Sequence, residues 1–581
     1  MDQALFQKDM GYFHDEQGIL KAISSCGFFV YEMHTWRSWQ SRSYEGMRSM
    51  GRTGYPCPLF TQVRTCSLTL KKKRIQWMER PAPYLESTTY LAKALPALLG
   101  TFDMFASCVV VILWLVNSAS ASLGGPVGLT YWLLGGLTFL LPSMLITAQL
   151  GVMFPLDGSL YTWTYQAFSL GNRRPFLNTF WSFLIGGSFW LIGPMALVIA
   201  ANAFLSFIQG IAPPSLQVRW LSQPWQQGLF MIGIVLICNV VALQRFRIVQ
   251  NLVNAIFVLN LLAFVLIALS GGLWLLSGHP SATDFSHLAG WMPNQQNVAA
   301  FGLICLGYLG APTSVTMIGE FRQPQQVRRA IVHHLRLATM LVIPVYLVIT
   351  AVLLLFPSQA LANPSNVNFL PVEVVDLVLG KGFGNLTAIC LLAFFLISPV
   401  VYHLASSRIL MMGGIDHRIP EQAGKLSKER VPVVALWVQT GVAVLMLAVI
   451  YLIGPIFTSL GQPADLASKV YNVVLASLTL VSVVATLFLY INLLVAYRRA
   501  PSYVQAHRLV PLWVLWLACV VGTGSCLLVF VDTLLNSWTP LMTNTEWLIA
   551  VGALILVLVL TLALTGIFAV SEASWQLWRH E

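Results

Sequence analysis

Twelve long apolar runs constrain this chain more than any other feature of it. About 20 such residues cross a bilayer as a helix, and in lipid only helices and closed barrels satisfy all their backbone groups. The runs are Leu98–Ser122, Val127–Gly151, Phe176–Phe207, Gly228–Leu243, Ile248–Leu276 and Val298–Ile318 in the first half. The second half gives Ile331–Phe356, Gly384–Leu410, Val433–Leu452, Ala467–Ala496, Val510–Val531 and Trp547–Val570. We refer to them as segments 1 to 12; the fourth is short and is expected to begin nearer Pro224. Only 9% of the 581 residues are charged, against about 25% in soluble proteins, so the chain reads as an all-α integral membrane protein.

Loop charges test that count. With the N-terminus inside, the cytoplasmic loops hold Arg173, Arg174, Arg245, Arg247, Arg322, Arg328, Arg329, Arg336, Arg408, Arg418, Lys425, Lys428, Arg430, Arg498, Arg499, Arg508 and Arg579. The opposite loops hold Arg219, Lys381 and Lys469. This bias follows the positive-inside rule and predicts both termini in the cytoplasm, with the protein in the plasma or inner membrane. One missed or invented segment would scramble it. The net charge of +11 thus reports orientation and implies no nucleic-acid partner. The nine cysteines are scattered without CxxC spacing, so neither a disulfide framework nor a metal site is expected. No cluster of His, Asp, Glu or Cys shares one depth, so the chain is expected to be no enzyme and to need no cofactor.

Segment 6 is different in kind. Val298 to Pro324 reads VAAFGLICLGYLGAPTSVTMIGEFRQP, with Gly307, Gly310 and Pro312 in its middle. Glycine weakens the helix there, and proline removes a donor and clashes with the preceding turn. Irregular backbone at membrane depth survives only against protein or a water-filled cavity. A helix broken at mid-membrane, with free amides and carbonyls, is therefore expected, with Glu320 closing it at one face. The plainer reading is a proline-kinked helix without a ligand.

Four motifs carry a resemblance. Segment 2 ends in Gln149 to Gly171 (QLGVMFPLDGSLYTWTYQAFSLG), with Leu150, Pro155, Gly158 and Tyr161 in a recognisable pattern. GEFRQPQQVRRAI from Gly319, SSRILMMGGIDHRIP from Ser406 and the opening Leu99-Gly100-Thr101-Phe102-Asp103 complete the set. In this order the motifs resemble the amino acid–polyamine–organocation (APC) superfamily of permeases, over Leu98 to about Val570. Gln149 and Ser159 depart from its usual Glu and Gly. Gly124-Gly125-Pro126 is similar to the amino acid/choline branch.

The resemblance implies twelve transmembrane helices in a LeuT-like fold, two inverted repeats of five plus two peripheral helices. The repeats would be residues 98–276 and 298–497, followed by 510–570 and a cytoplasmic end, 571–581. Segments 1 and 6 would be discontinuous, with the substrate between them and segments 3, 8 and 10 around it. The implied substrate-binding residues are Trp114, Leu115, Val116 and Asn117 on segment 1, and Tyr308, Leu309, Gly310 and Ala311 on segment 6. Segment 1 has no glycine at that step. Either it unwinds with Asn117 and Ser118 bonding the backbone, or it is an unbroken helix carrying two polar residues.

Glu320, Ser398 and His403 are the residues expected to gate or couple. Ser398 either helps hold sodium or bonds its own helix. His403 is read as the one histidine inside a segment, either relaying a proton or sitting wet near the cytoplasmic end. Phe257 stands where related antiporters carry a lysine. Asn251 and Asn254 either line a route or bond between helices. Gly186, Gly187, Gly193 and Pro194 on segment 3 are expected to pack.

The chain is thus expected to be a secondary active transporter of an amino acid or related small amine, with a proton or sodium as coupling ion and the bilayer as its surroundings. The segments' central parts carry no Asp, Glu, Lys or Arg, which favours a net-neutral substrate. Alternatives are choline or another quaternary amine held by Trp114, Tyr308 and Trp190, or a substrate sensor on the same fold. Residues 1–97 read as a polar cytoplasmic tail, disordered, and Met78 is a plausible true start.

Overall fold

The computed structural model describes residues 85–95, 97–170, 175–211, 221–294, 297–322, 326–357, 367–456 and 463–580. The tail up to residue 84, Met78 included, lies outside the described residues, as do Arg173, Arg174 and Arg219. In chain order the main helices are α1 Glu86–Ala94, α2 Thr101–Ile112, α3 Asn117–Ser122, α4 Val127–Met153, α5 Leu160–Ser169, α6 Pro175–Ile211, α7 Pro224–Ala242 and α8 Phe246–Leu276. Then follow α9 Ala299–Leu306, α10 Val327–Leu353, α11 Leu370–Leu379, α12 Lys381–Ile415, α13 Val433–Leu447, α14 Pro463–Arg499, α15 Leu512–Leu535 and α16 Asn544–His580.

Among the described residues, ten helices are long and apolar enough to cross a membrane. They correspond to segments 2–5 and 7–12, and the fourth does begin at Pro224. Segments 1 and 6 form no such helix, because each is interrupted. The order is therefore one interrupted segment and four continuous ones, twice over, then two more helices. Residues 86–94, read as part of the tail, form α1. Leu85, Leu91 and Leu95 are buried, and Ser87 donates through both N–H and Oγ to Asp416 at 2.9 Å.

The two interrupted segments start and end together. Leu99 N–H donates to the Glu320 carbonyl at 2.8 Å, and Arg322 N–H to the Leu99 carbonyl at 3.0 Å, a single parallel bridge. Asp103 caps α2 by accepting from Gly100 N–H at 2.8 Å. It also takes Asn254 Nδ2 at 2.7 Å and Arg247 at 3.2 Å from α8, fixing the entry of segment 1. Asn254 is thus an interhelical bond and Asn251 is exposed. Phe257 packs edge-on to Phe105 at 5.3 Å. The packing role of segment 3 holds at Gly193, where an added Cβ would stand 2.8 Å from Ser406 Cβ on α12.

Loops assigned to one side of the membrane do meet. Arg245 pairs with Glu429 at 2.7 Å, Arg499 donates to the Phe168 carbonyl, and Arg328 reaches the Arg508 carbonyl at 3.4 Å. They share a face, as the alternation of charges requires.

Candidate substrate site

Segment 1 breaks without a glycine, and the reason lies in its neighbours. Helix α2 ends at Ile112, so its last carbonyls lose their intrahelical donors. Other helices supply replacements. Ser398 Oγ donates to the Val110 carbonyl at 2.8 Å, and Tyr402 Oη to that of Val111 at 3.2 Å. Tyr346 Oη donates to the Ile112 carbonyl at 2.7 Å, and Asn260 Nδ2 to that of Leu113 at 3.1 Å. Tyr346 Oη also accepts from Trp114 N–H at 3.0 Å. Burying a backbone group unpaired costs about 1–3 kcal/mol, so four such donors make the unwound form stable. Asn117 and Ser118 do not bond the backbone as expected; Ser118 Oγ has no partner at all among the described residues.

Segment 6 breaks where its sequence says. Helix α9 stops at Leu306, Gly310 takes φ +113°, and a 3-10 turn runs from Ser314 to Glu320. The same tyrosines tie this break to the first. Tyr402 Oη lies 3.3 Å from the Leu309 carbonyl and Tyr346 Oη 3.3 Å from that of Gly307. The amides of Leu115, Val116, Gly310 and Ala311 make no hydrogen bond to another described residue.

Between the breaks lies a cavity of about 70 Å³. Its wall is Val111, Ile112, Trp114 and Asn117 from segment 1 and Leu306, Gly307 and Leu309 from segment 6. Ile192, Ala196 and Ile199 of α6, Tyr402 of α12, and Leu478 and Ser482 of α14 complete it. The helices are those of segments 1, 3, 6, 8 and 10. Chemically the wall is aliphatic, with Tyr402 Oη, Asn117 and Ser482 as its polar side chains. Ser482 Oγ is buried without a partner among the described residues.

Of the eight residues expected to contact substrate, Trp114, Asn117 and Leu309 line this cavity, while Leu115, Val116, Tyr308, Gly310 and Ala311 do not. Tyr308 is a correction. Its hydroxyl donates to the Trp132 carbonyl at 2.8 Å and its ring stands edge-on to Trp132 at 5.1 Å, so it packs away from the cavity. Trp190 is not in the wall either, so the aromatic cage expected for a quaternary amine is not assembled. The two breaks hold Gly310 tightly: an added Cβ would meet Val111 Cγ1 at 2.6 Å and Tyr402 Oη at 2.7 Å.

Glu320 and Arg408 form an ion pair whose side chains are 1% and 3% exposed. Beside it Asp157 accepts from Gly319 N–H at 2.7 Å. His403 is buried rather than wet, with Nε2 3.2 Å from Asn239 Oδ1 and away from the cavity. Nor is it the one histidine inside a helix. His333 and His334 lie in α10, and buried His334 places Nε2 3.1 Å from Ser314 Oγ at the head of the 3-10 turn.

Sequence reasoning missed Tyr346, Tyr402, Asn260 and Ser482. Each is a polar side chain in an apolar helix. That was the available signal, since such groups in lipid need partners, but it did not name the partner.

Residues 98–508 match the family model described as amino acid permease. The chain is 22% identical to an uncharacterized transporter of Legionella pneumophila over 356 residues, 58% of this chain and 70% of that one. It is 26% identical to an uncharacterized transporter of Bacillus subtilis over 225 residues, 37% of this chain and 46% of that one. A crystal structure of the Eremococcus coleocola manganese transporter aligns at TM-score 0.49 and 16% identity, covering 82% of this chain and 94% of that one. With the family match spanning most of the chain, and with ten apolar crossing helices, the protein is a multi-pass membrane transporter belonging to the amino acid permease family of the APC superfamily.

Proposed function

We propose that this transporter moves a net-neutral amino acid, or a related small amine, by alternating access. One observation carries the reading: two broken segments face one another across a small, mainly apolar cavity. The breaks also leave four amides unpaired just outside its wall, at Leu115, Val116, Gly310 and Ala311, and a carboxylate is the natural acceptor for amides and helix ends at a break once they open to the substrate. The aliphatic wall suits an apolar side chain, and it holds no charged group to balance a cationic one. A quaternary amine fits less well, because only Trp114 and Tyr402 supply aromatic faces. A divalent cation, as carried by a manganese transporter, fits poorly too: the wall offers no carboxylate, imidazole or thiolate.

For coupling we favour a proton or substrate exchange over sodium. A sodium ion at the break would draw on the carbonyls of Val110 to Leu113, and it would compete there with Ser398, Tyr402, Tyr346 and Asn260, each of which already donates to one of them. Ser398 then acts as a strut of the break. The Glu320–Arg408 pair, where the two segments meet, is the proposed gating contact, on the cytoplasmic side.

The test is uptake into proteoliposomes of labelled neutral amino acids and of choline, under imposed proton or sodium gradients. Accumulation of a neutral amino acid, driven by a pH gradient or by internal substrate, is expected. Choline uptake in place of amino acids would overturn the substrate reading. Uptake that follows sodium and ignores pH would overturn the coupling. Tight binding without flux would make the protein a sensor.

A further inference from the structure

Helix α10 opens with Arg328, Arg329, His333 and Arg336, and no acidic residue falls in its first turn. At about 100° per residue, these four and Val332 fall within an arc of about 140°. The four are exposed, and the five together line a groove of about 450 Å³. The other side of the helix, with Ala330, Ile331, His334 and Leu335, is buried against the protein. Further along, the cationic arc becomes apolar, with Met340 60% exposed and Ile343 and Leu347 half-buried. Such a face meets lipid, so the cations stand where it leaves the hydrocarbon.

The charge there is uncompensated. Like charges three and four apart repel, and the positive end of the helix adds to them. Three other cations on this face are answered within the protein. Arg247 meets Asp103 at 3.2 Å, Arg408 meets Glu320, and Arg418 lies 5.1 Å from the centre of the Tyr161 ring. Among the described residues, no carboxylate comes within ion-pair distance of Arg328, Arg329 or Arg336. Arg328 finds only the Arg508 carbonyl.

We propose that this groove binds the headgroup of an anionic phospholipid, its phosphate between Arg329, His333 and Arg336 and an acyl chain along Met340. Guanidinium groups match phosphate oxygens in forked pairs, and basic clusters at the membrane rim attract anionic headgroups. The site is separate from the cavity and does not depend on what that cavity carries.

The experiment uses the purified full-length protein in mild detergent. Melting temperature is measured against added phosphatidylglycerol, phosphatidylcholine with the same chains, or inorganic phosphate, and native mass spectrometry counts bound lipid. Phosphatidylglycerol is expected to raise the melting temperature of the wild type and to remain bound. In Arg329→Gln/Arg336→Gln the shift should fall at least twofold and the bound lipid should be lost. A control pair in another exposed loop, Lys425→Gln/Lys428→Gln, should keep both. An equal response in the two double variants would show that only overall charge matters and would overturn the site. Phosphatidylcholine shifting the wild type as much, or phosphate alone reproducing the shift, would overturn its assignment to an anionic lipid. The lipid count remains readable even in a destabilised variant.

Discussion

Replacing Tyr346 with Phe removes one oxygen and keeps the ring, which stacks on Trp132 at 3.9 Å and 7°. That hydroxyl accepts from Trp114 N–H at 3.0 Å and donates to the Ile112 carbonyl at 2.7 Å. Trp114 N–H and the Ile112 carbonyl would keep only their bond to each other at 3.1 Å, and both interhelical bonds would go. Bonds between membrane helices average about 0.6 kcal/mol with a maximum near 1.7. A loss of about 1–2 kcal/mol is expected, read as a melting temperature lower by a few degrees in purified Tyr346→Phe. Binding should weaken with it, since Ile112 and Trp114 at the unwound step line the cavity. The double variant with Trp132→Phe tests whether the ring stack is independent; the two losses should add. A melting temperature within about 1 °C of wild type, with unchanged binding, would refute the idea that Tyr346 holds segment 1 open.

Further outcomes follow from the same geometry. Gly310→Leu should lose both binding and stability: φ +113° alone costs a side chain roughly 1–3 kcal/mol, and the Cβ collides with Val111 and Tyr402. Binding retained in the destabilised protein would show that Gly310 serves packing only. Glu320→Gln or Arg408→Gln should each cost about 3–5 kcal/mol by stranding a buried charge. The double variant should melt above either single one, and strictly additive losses would mean that the pair does not interact. Ser482→Ala removes a hydroxyl with no partner among the described residues, so the melting temperature should hold while substrate KM rises. An unchanged KM for every transported substrate would remove Ser482 from the site.

The sequence by itself determined the membrane class, the segment boundaries to within a few residues, and the break in segment 6. These are legible because each depends on local chemistry: an apolar run of bilayer length, or glycines and a proline inside one. The pairing of loops on one face was readable too, because charge distribution along the chain encodes it. The break in segment 1 was not readable. Trp114-Leu115-Val116 has no residue that disfavours a helix strongly, and the helix opens there because four side chains on α8, α10 and α12 replace its lost bonds. The same holds for the cavity. Tyr308 and Tyr402 look alike in sequence, yet one packs on Trp132 and the other bridges both breaks. Glu320 meets Arg408 across 88 positions. Hydrogen bonds and ion pairs of that reach depend on which helices lie side by side, and residue spacing along one helix carries no record of its neighbour's register.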